Sequence, residues 1–517
     1  MARSKVKPLP KILGLVVIGV IVLFGIKYLN ESGALKSIAP KKSGTVATPG
    51  QKLNKTESQD VLRVCVVTWG GNAGGQYFNG GFKASKDSRF YKEYGILVEF
   101  VLMDDWDASR AAWKSGDVDL QWITADAFPT EAGNLKEFSP KIIFQADWSR
   151  GGDAIVVRPG INKVSDLKGK KISVAYGTPS HTFILWLLEA NNMTSKDVAL
   201  VQVKSAIDAA AMAKSGSVDA AVVWSPDDDD VVQKMPGWKK LKTTKDATSI
   251  IADVFYAKES YIQANEDKLR KFVEGWMRGA AEINSSPDAK QKAAEILAAG
   301  LGQDVTFCLN AINNTRLCTL GDNKGFFTID GCNTCVSGEQ LYIKMSQLYK
   351  QVGVISEPPP SWRSVSDTRI LRQINLSGVE HDPEAMQVFN KPTVQESKAD
   401  AFASKTVSIV FPSGSATLTE DARYTIDREV VPILKAFGAA RVRVEGNTDN
   451  VGGLSINQVL SQQRAHSAVQ YLVLQHKFDK YRFIEIGNGP DVPVSDNTTE
   501  EGRAKNRRTE FQLLNDK

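Results

Sequence analysis

The sequence predicts an α/β protein in three parts: an N-terminal transmembrane helix, a two-lobed α/β module over residues 60–370, and a C-terminal α/β sandwich over 401–517. Three observations predict it. An uncharged apolar run at 12–26 follows a basic start. Short strands alternate with helical stretches from 61 to about 256, the pattern of a mostly parallel sheet. A second, shorter alternation begins near 407, after a poorly periodic connector at 371–400. With 517 residues, 42% hydrophobic and 24% charged, the chain has material for several cores, and its composition is neither disordered nor collagenous.

Residues 1–29 form the basic flank and the anchor. Arg3, Lys5, Lys7 and Lys11 precede ILGLVVIGVIVLFGI, which nears membrane-spanning length at the short end. The basic flank is expected to stay cytoplasmic, so the chain crosses the inner membrane once and its bulk is periplasmic. The rival is a cleaved signal peptide. Its nearest small-x-small site, Ser32-Gly33-Ala34, is separated from the apolar run by Lys27 and Glu31, so an uncleaved anchor is expected. Residues 30–59, rich in Ser, Lys, Gly, Pro and Thr, read as a flexible linker. The formal charge of +5 is uneven: ten Lys/Arg against one acid in the first 55 residues leave −4 on the remainder. The folded part therefore offers no basic excess for nucleic acid, and none is expected as a partner.

In the two-lobed module, strands are expected at 61–68, 97–102 and 117–124, with a helix at 108–114. The second lobe, about 157–252, has strands at 171–175, 198–203 and 216–224 and an apolar helix at 182–190. Thr178 suits the N-cap of that helix and Pro179 its first position. The segment 250–256 leads back to the first lobe, followed by helices at 261–284 and 287–299. Ligands in such folds sit at the carboxyl ends of strands. Trp69 beside Gly70 and Gly71 would let a ligand approach the backbone, and the helix start at 178 offers N–H groups to an anion. Trp224 reads either as cleft wall or as core. Asp227, Asp228, Asp229 and Asp230 read as a solvated acidic turn, because four consecutive carboxylates cannot all face one metal ion. Ser180 and His181 are chain neighbours, which alone makes no nucleophile–base pair.

The stretches DLKGKKISVAYGTPSH (166–181) and SGSVDAAVVWSPD (215–227), with the lobe–lobe–return order, resemble type II periplasmic solute-binding proteins of the nitrate/sulfonate/thiamine-precursor branch, over about 300 residues. The resemblance implies two lobes closing on a small polar solute and an ABC permease as partner. Carried over by position, the cleft would be lined by Trp69, Gly70, Thr124, Asp126, Ser149, Thr178, Ser180, His181, Trp224 and Asp253. The helix start with Arg150 favours an anion such as phosphate, nitrate or a sulfonate, and that is the expectation. Trp69 and Trp224 with Asp126 and Asp253 would instead suit a cation. No catalytic residue, cofactor or metal is expected. The dense cysteine motif of the thiamine-pyrimidine synthases, which share this fold branch, is missing, and the chain has four His and no HExxH.

Of five cysteines, Cys65 lies mid-strand and reads as a buried thiol. Cys308, Cys318, Cys332 and Cys335 fall within 28 residues. Disulfides are the natural reading in an exported chain, with three possible connectivities. A four-thiolate zinc site, for which only one CxxC half is present, and unpaired thiols are the alternatives.

The C-terminal module is expected to place strands at 407–411, 441–445, 481–487 and 509–513, with helices at 422–437, kinked at Pro432, and 456–474. VEGNTDNVG (444–452), Asn457, Leu460, Ser461, Arg464, Ala465 and NRR (506–508) resemble the OmpA-like peptidoglycan-binding domain over about 110 residues. Asn447 departs from that pattern, which usually has an aromatic residue or His there. The resemblance implies the diaminopimelate stem of peptidoglycan as ligand. Asp449 would take its ammonium and Arg464 its carboxylate. Asn457, Ser461 and Arg464 share one helix face; Thr448, Asn450, Leu460 and Arg508 complete the expected site, with Arg507 buried. The alternative is a structural Asp449–Arg464 ion pair. The combined expectation is a non-enzymatic envelope protein of uptake type, tethered to membrane and wall, or a scaffold or solute sensor without transport. Flagellar stators share the anchor-plus-OmpA plan, but the uncharged span and the large inserted module speak against that role.

Overall fold

A computed structural model describes residues 61–514 apart from 331, 333, 334, 386, 408, 410 and 413. The anchor and linker expected at 1–59 lie outside the described residues. Among those described, no helix is long and apolar enough to cross a membrane.

The first lobe opens with β1 (Val61–Val66), α1 (Ala73–Asn79), β2 (Leu97–Leu102), α2 (Trp106–Ser115), β3 (Gln121–Thr124) and β4 (Pro140–Ser149). β1 and β2 pair in parallel. β4 has no counterpart in the sequence reading: all of it but Lys141 is buried, so it lacks the alternation that marks a half-exposed strand.

The second sheet holds β5 (Asp153–Val157), β6 (Lys171–Ala175), β7 (Ala199–Val203), β8 (Ala220–Trp224) and β9 (Lys239–Thr243), in the order β7-β6-β8-β5-β9. α3 (Pro179–Ala190) packs on it, with α4 (Ala206–Lys214) and α5 (Asp227–Lys234) between strands. Every residue of α3 but Glu189 is buried, as an all-round apolar helix requires.

β10 (Ala252–Lys258) returns to the first lobe and inserts antiparallel between β3 and β4. α6 (Glu266–Ser285) then packs Phe272 and Trp276 beneath it, where Phe144 and Phe255 stack at 5.2 Å. α7 (Pro287–Leu301), α8 (Val305–Asn313), β11 (Thr315–Leu317) and α9 (Gly338–Gln351) follow, with β11 paired to the edge of β4.

The C-terminal module contains β12 (Ala401–Val407), α10 (Glu420–Thr425), α11 (Val431–Ala436), β13 (Arg441–Gly446), α12 (Leu454–His476), β14 (Phe483–Gly487), α13 (Glu500–Asn506) and β15 (Thr509–Leu514), with sheet order β12-β15-β13-β14. β12 also lies against α3 of the second lobe. The helix expected at 422–437 is interrupted by a π turn at Ile426–Val430, just ahead of Pro432, which has no N–H to continue the ladder. α12 rests directly on β13 and β14. A Cβ on Gly446 would lie 2.2 Å from the Ser461 carbonyl oxygen, and one on Gly487 2.4 Å from the Gln462 nitrogen.

Arg482 is buried and donates to the carbonyls of Leu434, Phe437 and Ala440 at 2.8–2.9 Å, closing the end of α11 with a cation. Replacing it with Met removes three charge-assisted bonds to buried carbonyls, of which Phe437 O keeps the Ala440 amide at 3.0 Å, at a cost of about 3 kcal/mol. Thermal unfolding of the full chain is expected to show the C-terminal module melting earlier in Arg482→Met than in Arg482→Lys.

Candidate functional site

Two places bring the expected residues together. The first is the junction of the two sheets. Asp253 stands opposite Thr124 of β3 on one side and Asp147 of β4 on the other. Residues directly opposed in a sheet project to the same face, so these three side chains rise together. Trp122 Nε1 donates to Asp253 Oδ1 at 2.6 Å, and Trp69 Nε1 to Asp147 Oδ1 at 3.4 Å. α3 supplies the other wall: Thr182 Oγ1 donates to Asp126 Oδ2 and Ser180 Oγ to Asp153 Oδ1, both at 2.7 Å. Asp126, Asp147, Asp153 and Asp253 are all buried, and among the described residues none has a Lys or Arg ion-pair partner.

Burial disfavours their charged forms. It pushes Asp126 up to about 6 and Asp153 up to about 7. Asp147 is raised by burial, and Asp253 is held well above the carboxylate range by burial and by the Asp147 carboxylate. His181 is fully buried, stacked on Tyr176 at 4.3 Å, and burial brings its pKa down to about 4. Its Nδ1 accepts from the Gly177 amide at 3.2 Å.

Trp69 and Trp224 are half-buried and converge here. A Cβ on Gly152 would lie 2.6 Å from Trp69 Cη2 and 2.8 Å from Ser149 Oγ, while Trp224 pairs with Asp153 across β8 and β5. Buried Ser149 holds its amide on Ile251 O at 3.0 Å.

Several expectations are corrected. Gly70 serves packing: a Cβ there would lie 2.3 Å from the backbone of Ala311 in α8. Thr178 sits at the N-cap of α3 but turns its hydroxyl to Ala175 O at 2.7 Å and caps nothing. Arg150, the cationic support for an anion, is engaged by Glu384 through two bonds of 2.6–2.7 Å. Ser180 and His181, read as no pair by adjacency alone, have separate partners in Asp153 and Gly177. The acidic run 227–230 is the first turn of α5: Asp228 is buried against Lys240 at 2.6 Å, and Asp230 pairs with Lys214 and Lys234. Among the cysteine candidates, Cys332 and Cys335 form a disulfide, whereas Cys308 and Cys318 are free and buried like Cys65. Asp147, Asp153 and Trp122 escaped the sequence reading. Trp122 lay within a recognised strand, and the polar–apolar alternation from Asp117 to Trp122 could have pointed to it.

The second place is the loop after β13. Asp449 and Arg464 are each 8% exposed and lie close enough for the Asp449 charge to act on Arg464. They do not form a structural ion pair. Arg464 Nε donates to Ser415 O at 3.2 Å, and its guanidinium lies 4.9 Å from the Phe411 ring. Burial lowers its pKa, with Asp449 opposing and Arg507 adding. Arg507, expected to be buried, takes Asp449 Oδ2 at 2.6 Å and Glu500 at 2.7 Å. Arg508, expected in the site, instead binds Glu510 at 2.7 Å and Val492 O at 3.1 Å.

Asn457 and Ser461 hold the frame. Asn457 Nδ2 donates to Val451 O at 3.0 Å, and Ser461 Oγ accepts from the Gly489 amide at 2.9 Å. Thr448 donates its amide to Gly489 O at 2.9 Å, and its buried hydroxyl has no partner. Asn450 is exposed and Leu460 half-buried. Asn447 is buried and accepts from Asn488 at 3.1 Å.

The junction carboxyls set a pH dependence. Unfolded, they titrate near pH 4; folded, they keep their protons up to about 6 to 7, so their stabilisation is present below pH 4 and lost as pH rises through the folded values. His181 acts oppositely, but only between about 4 and 6.5. The empty protein is therefore expected to melt at a higher temperature at about pH 5 than at about pH 8 in differential scanning fluorimetry, and Asp153→Asn to flatten that slope.

Comparison with known proteins covers both regions. Residues 410–507 match the OmpA family model, and residues 149–290 match the NMT1/THI5 like model. The chain is 41% identical over 106 residues to Probable lipoprotein YiaD of Escherichia coli (strain K12), covering 20% of this chain and 48% of YiaD. It is 32% identical over 143 residues to Outer membrane protein A of Bordetella avium, covering 27% of this chain and 69% of that protein. With Peptidoglycan-binding protein ArfA of Mycobacterium tuberculosis (strain ATCC 25618 / H37Rv) it shares 42% over 103 residues, 20% of this chain and 31% of ArfA. The chain thus spans about half the length of the first of these relatives. Among solved structures it is similar to the periplasmic aliphatic sulphonate binding protein SsuA from Escherichia coli, with TM-score 0.47 and 17% identity over 65% of this chain and 99% of SsuA. For the periplasmic nitrate-binding protein NrtA from Synechocystis PCC 6803 the values are 0.38, 14%, 48% and 69%. The chain belongs to the OmpA family, and an NMT1/THI5-like domain precedes its OmpA domain.

Proposed function

We propose that this chain is a cell-envelope solute-binding protein of an ABC-transporter-type uptake system, anchored in the inner membrane by residues 1–29 and held non-covalently to peptidoglycan by its C-terminal module. One observation carries the wall contact: Asp449, Arg464 and Arg507 meet at the end of β13, with Asp449 and Arg464 both still reachable from solvent. The ligand would be the free end of diaminopimelate, an ammonium and a carboxylate on one carbon. The ammonium competes with Arg507 for Asp449. The carboxylate meets Arg464 and the guanidinium thereby released, so charge stays paired through the exchange. ArfA, one of the relatives, is named a peptidoglycan-binding protein, which supports this reading. The domain division is read as a two-lobed module over 60–370, a connector at 371–400 and the wall module at 401–517.

A second reading, a scaffold or solute sensor without transport, is favoured by one observation. The C-terminal module touches the second lobe through Asn192 to Ser404 O at 2.8 Å, and that lobe's last residues before β10 through the Ser249 amide to Ala436 O at 3.3 Å. Lobe position and wall attachment are thereby linked within one body.

Asp449→Ala and Arg464→Ala are each expected to cut co-sedimentation with purified peptidoglycan by about tenfold or more, with circular dichroism unchanged. Undiminished co-sedimentation in both variants would remove the basis of the wall contact.

A further inference from the structure

We propose that the solute captured between the lobes is a small organic cation, a protonated or quaternary amine carrying a hydrogen-bond acceptor, rather than an anion. The proposal rests on the solute-binding reading above and names the chemistry of that same site.

The charge inventory of the junction is one-sided. Asp147 and Asp253 face each other across β4 and β10, Asp126 follows β3, and Asp153 begins β5. Asp126 acts electrostatically on both Asp153 and Asp253, so the four groups form one field. The base nearest in sequence, Arg150, is engaged by Glu384. An anion entering here would meet four buried carboxyl groups, while Lys245, whose side chain lies against Gly151, is exposed at the surface. A cation would meet carboxyl groups that lack a Lys or Arg ion-pair partner among the described residues.

One further observation points to an occupant. Asp147 and Asp253 share a side-chain hydrogen bond, and Asp147 Oδ2 is packed on Gly71, where a Cβ would lie 1.5 Å from it. His181 Nε2, by contrast, is buried and unpartnered. With Nδ1 accepting from Gly177, the neutral ring carries its proton on Nε2, a donor awaiting an acceptor. The ring lies 5.5 Å from that of Tyr349, whose hydroxyl joins Thr182 at 2.8 Å and through it Asp126. An acceptor taken by His181 would therefore sit one residue from the bond that fixes Asp126.

The aromatic groups suit the same ligand. Trp69 closes over Gly152, and Trp224 lies in register with Asp153, so two half-buried indoles flank the carboxyl groups. Aromatic faces beside carboxylates attract ammonium groups, while the Trp69 and Trp122 N–H donors that could serve an anion are turned to Asp147 and Asp253.

Isothermal titration of the full chain with ethanolamine, choline and putrescine, set against nitrate and ethanesulfonate, tests the proposal. At least one of the hydroxyl-bearing cations, ethanolamine or choline, is expected to bind, more tightly than putrescine, and both anions to give no heat. Asp253→Asn and, at the more exposed rim, Trp224→Ala are each expected to weaken that cation by about tenfold or more. Binding of nitrate or ethanesulfonate without binding of an amine overturns the proposal and leaves the solute-binding reading standing. Absence of binding by both sets overturns both. Amine binding unaffected by both substitutions places the cation elsewhere and overturns the assignment of this site.

Discussion

Burying four carboxyl groups without an ion-pair partner among the described residues is the constraint around which the two-lobed module is arranged. Each such group loses hydration and must recover hydrogen bonds from neutral donors. Here the donors are two indole N–H groups from the first lobe and two hydroxyls from one turn of α3. The Thr182–Asp126 bond crosses from one lobe to the other. The polar cluster therefore ties together the two sheets that a moving binding protein would need to separate. Its satisfaction depends on β10 entering between β3 and β4 in one register, since a slip of a single residue would turn Asp253 to the opposite face.

The C-terminal module solves a different problem, placing opposite charges at an edge without neutralising them permanently. Gly446 and Gly487 let α12 settle against β13 and β14, which brings Arg464 to the loop that bears Asp449. Ser461 and Asn457 spend their hydrogen bonds on that loop and the one after β14. The site is thus braced by neutral groups, while Asp449 is held by Arg507, which is also held by the exposed Glu500, and Arg464 is left without an ion-pair partner among the described residues.

Much of this was legible in the residues. The parallel β6–α3 unit announced itself through Thr178, Pro179 and the apolar run behind them, and α12 through its stripe of Ala465, Ala468, Val469 and Leu472. What stayed hidden has physical causes. β4 is buried on both faces and carries no period, so Asp147 could not be placed. Arg150 read as free because Glu384 lies 234 positions away, a distance no local pattern spans. Arg507 and Arg508 are neighbours with opposite fates because β15 starts immediately after them, and adjacent residues there face opposite ways. The cysteine spacing admitted several pairings, and packing left Cys308 and Cys318 buried apart from the CxxC pair.

β12 rests on α3, the Ser249 amide is tied to Ala436, and Lys435 reaches the Cys335 carbonyl at 3.1 Å. The C-terminal module therefore straddles the crossing between the lobes like a splint. A splinted joint does not open freely: parting the lobes requires loosening at least one of these ties. Under the proposed wall contact, tension from the murein pulling on the splint would reach the lobe junction as mechanical work.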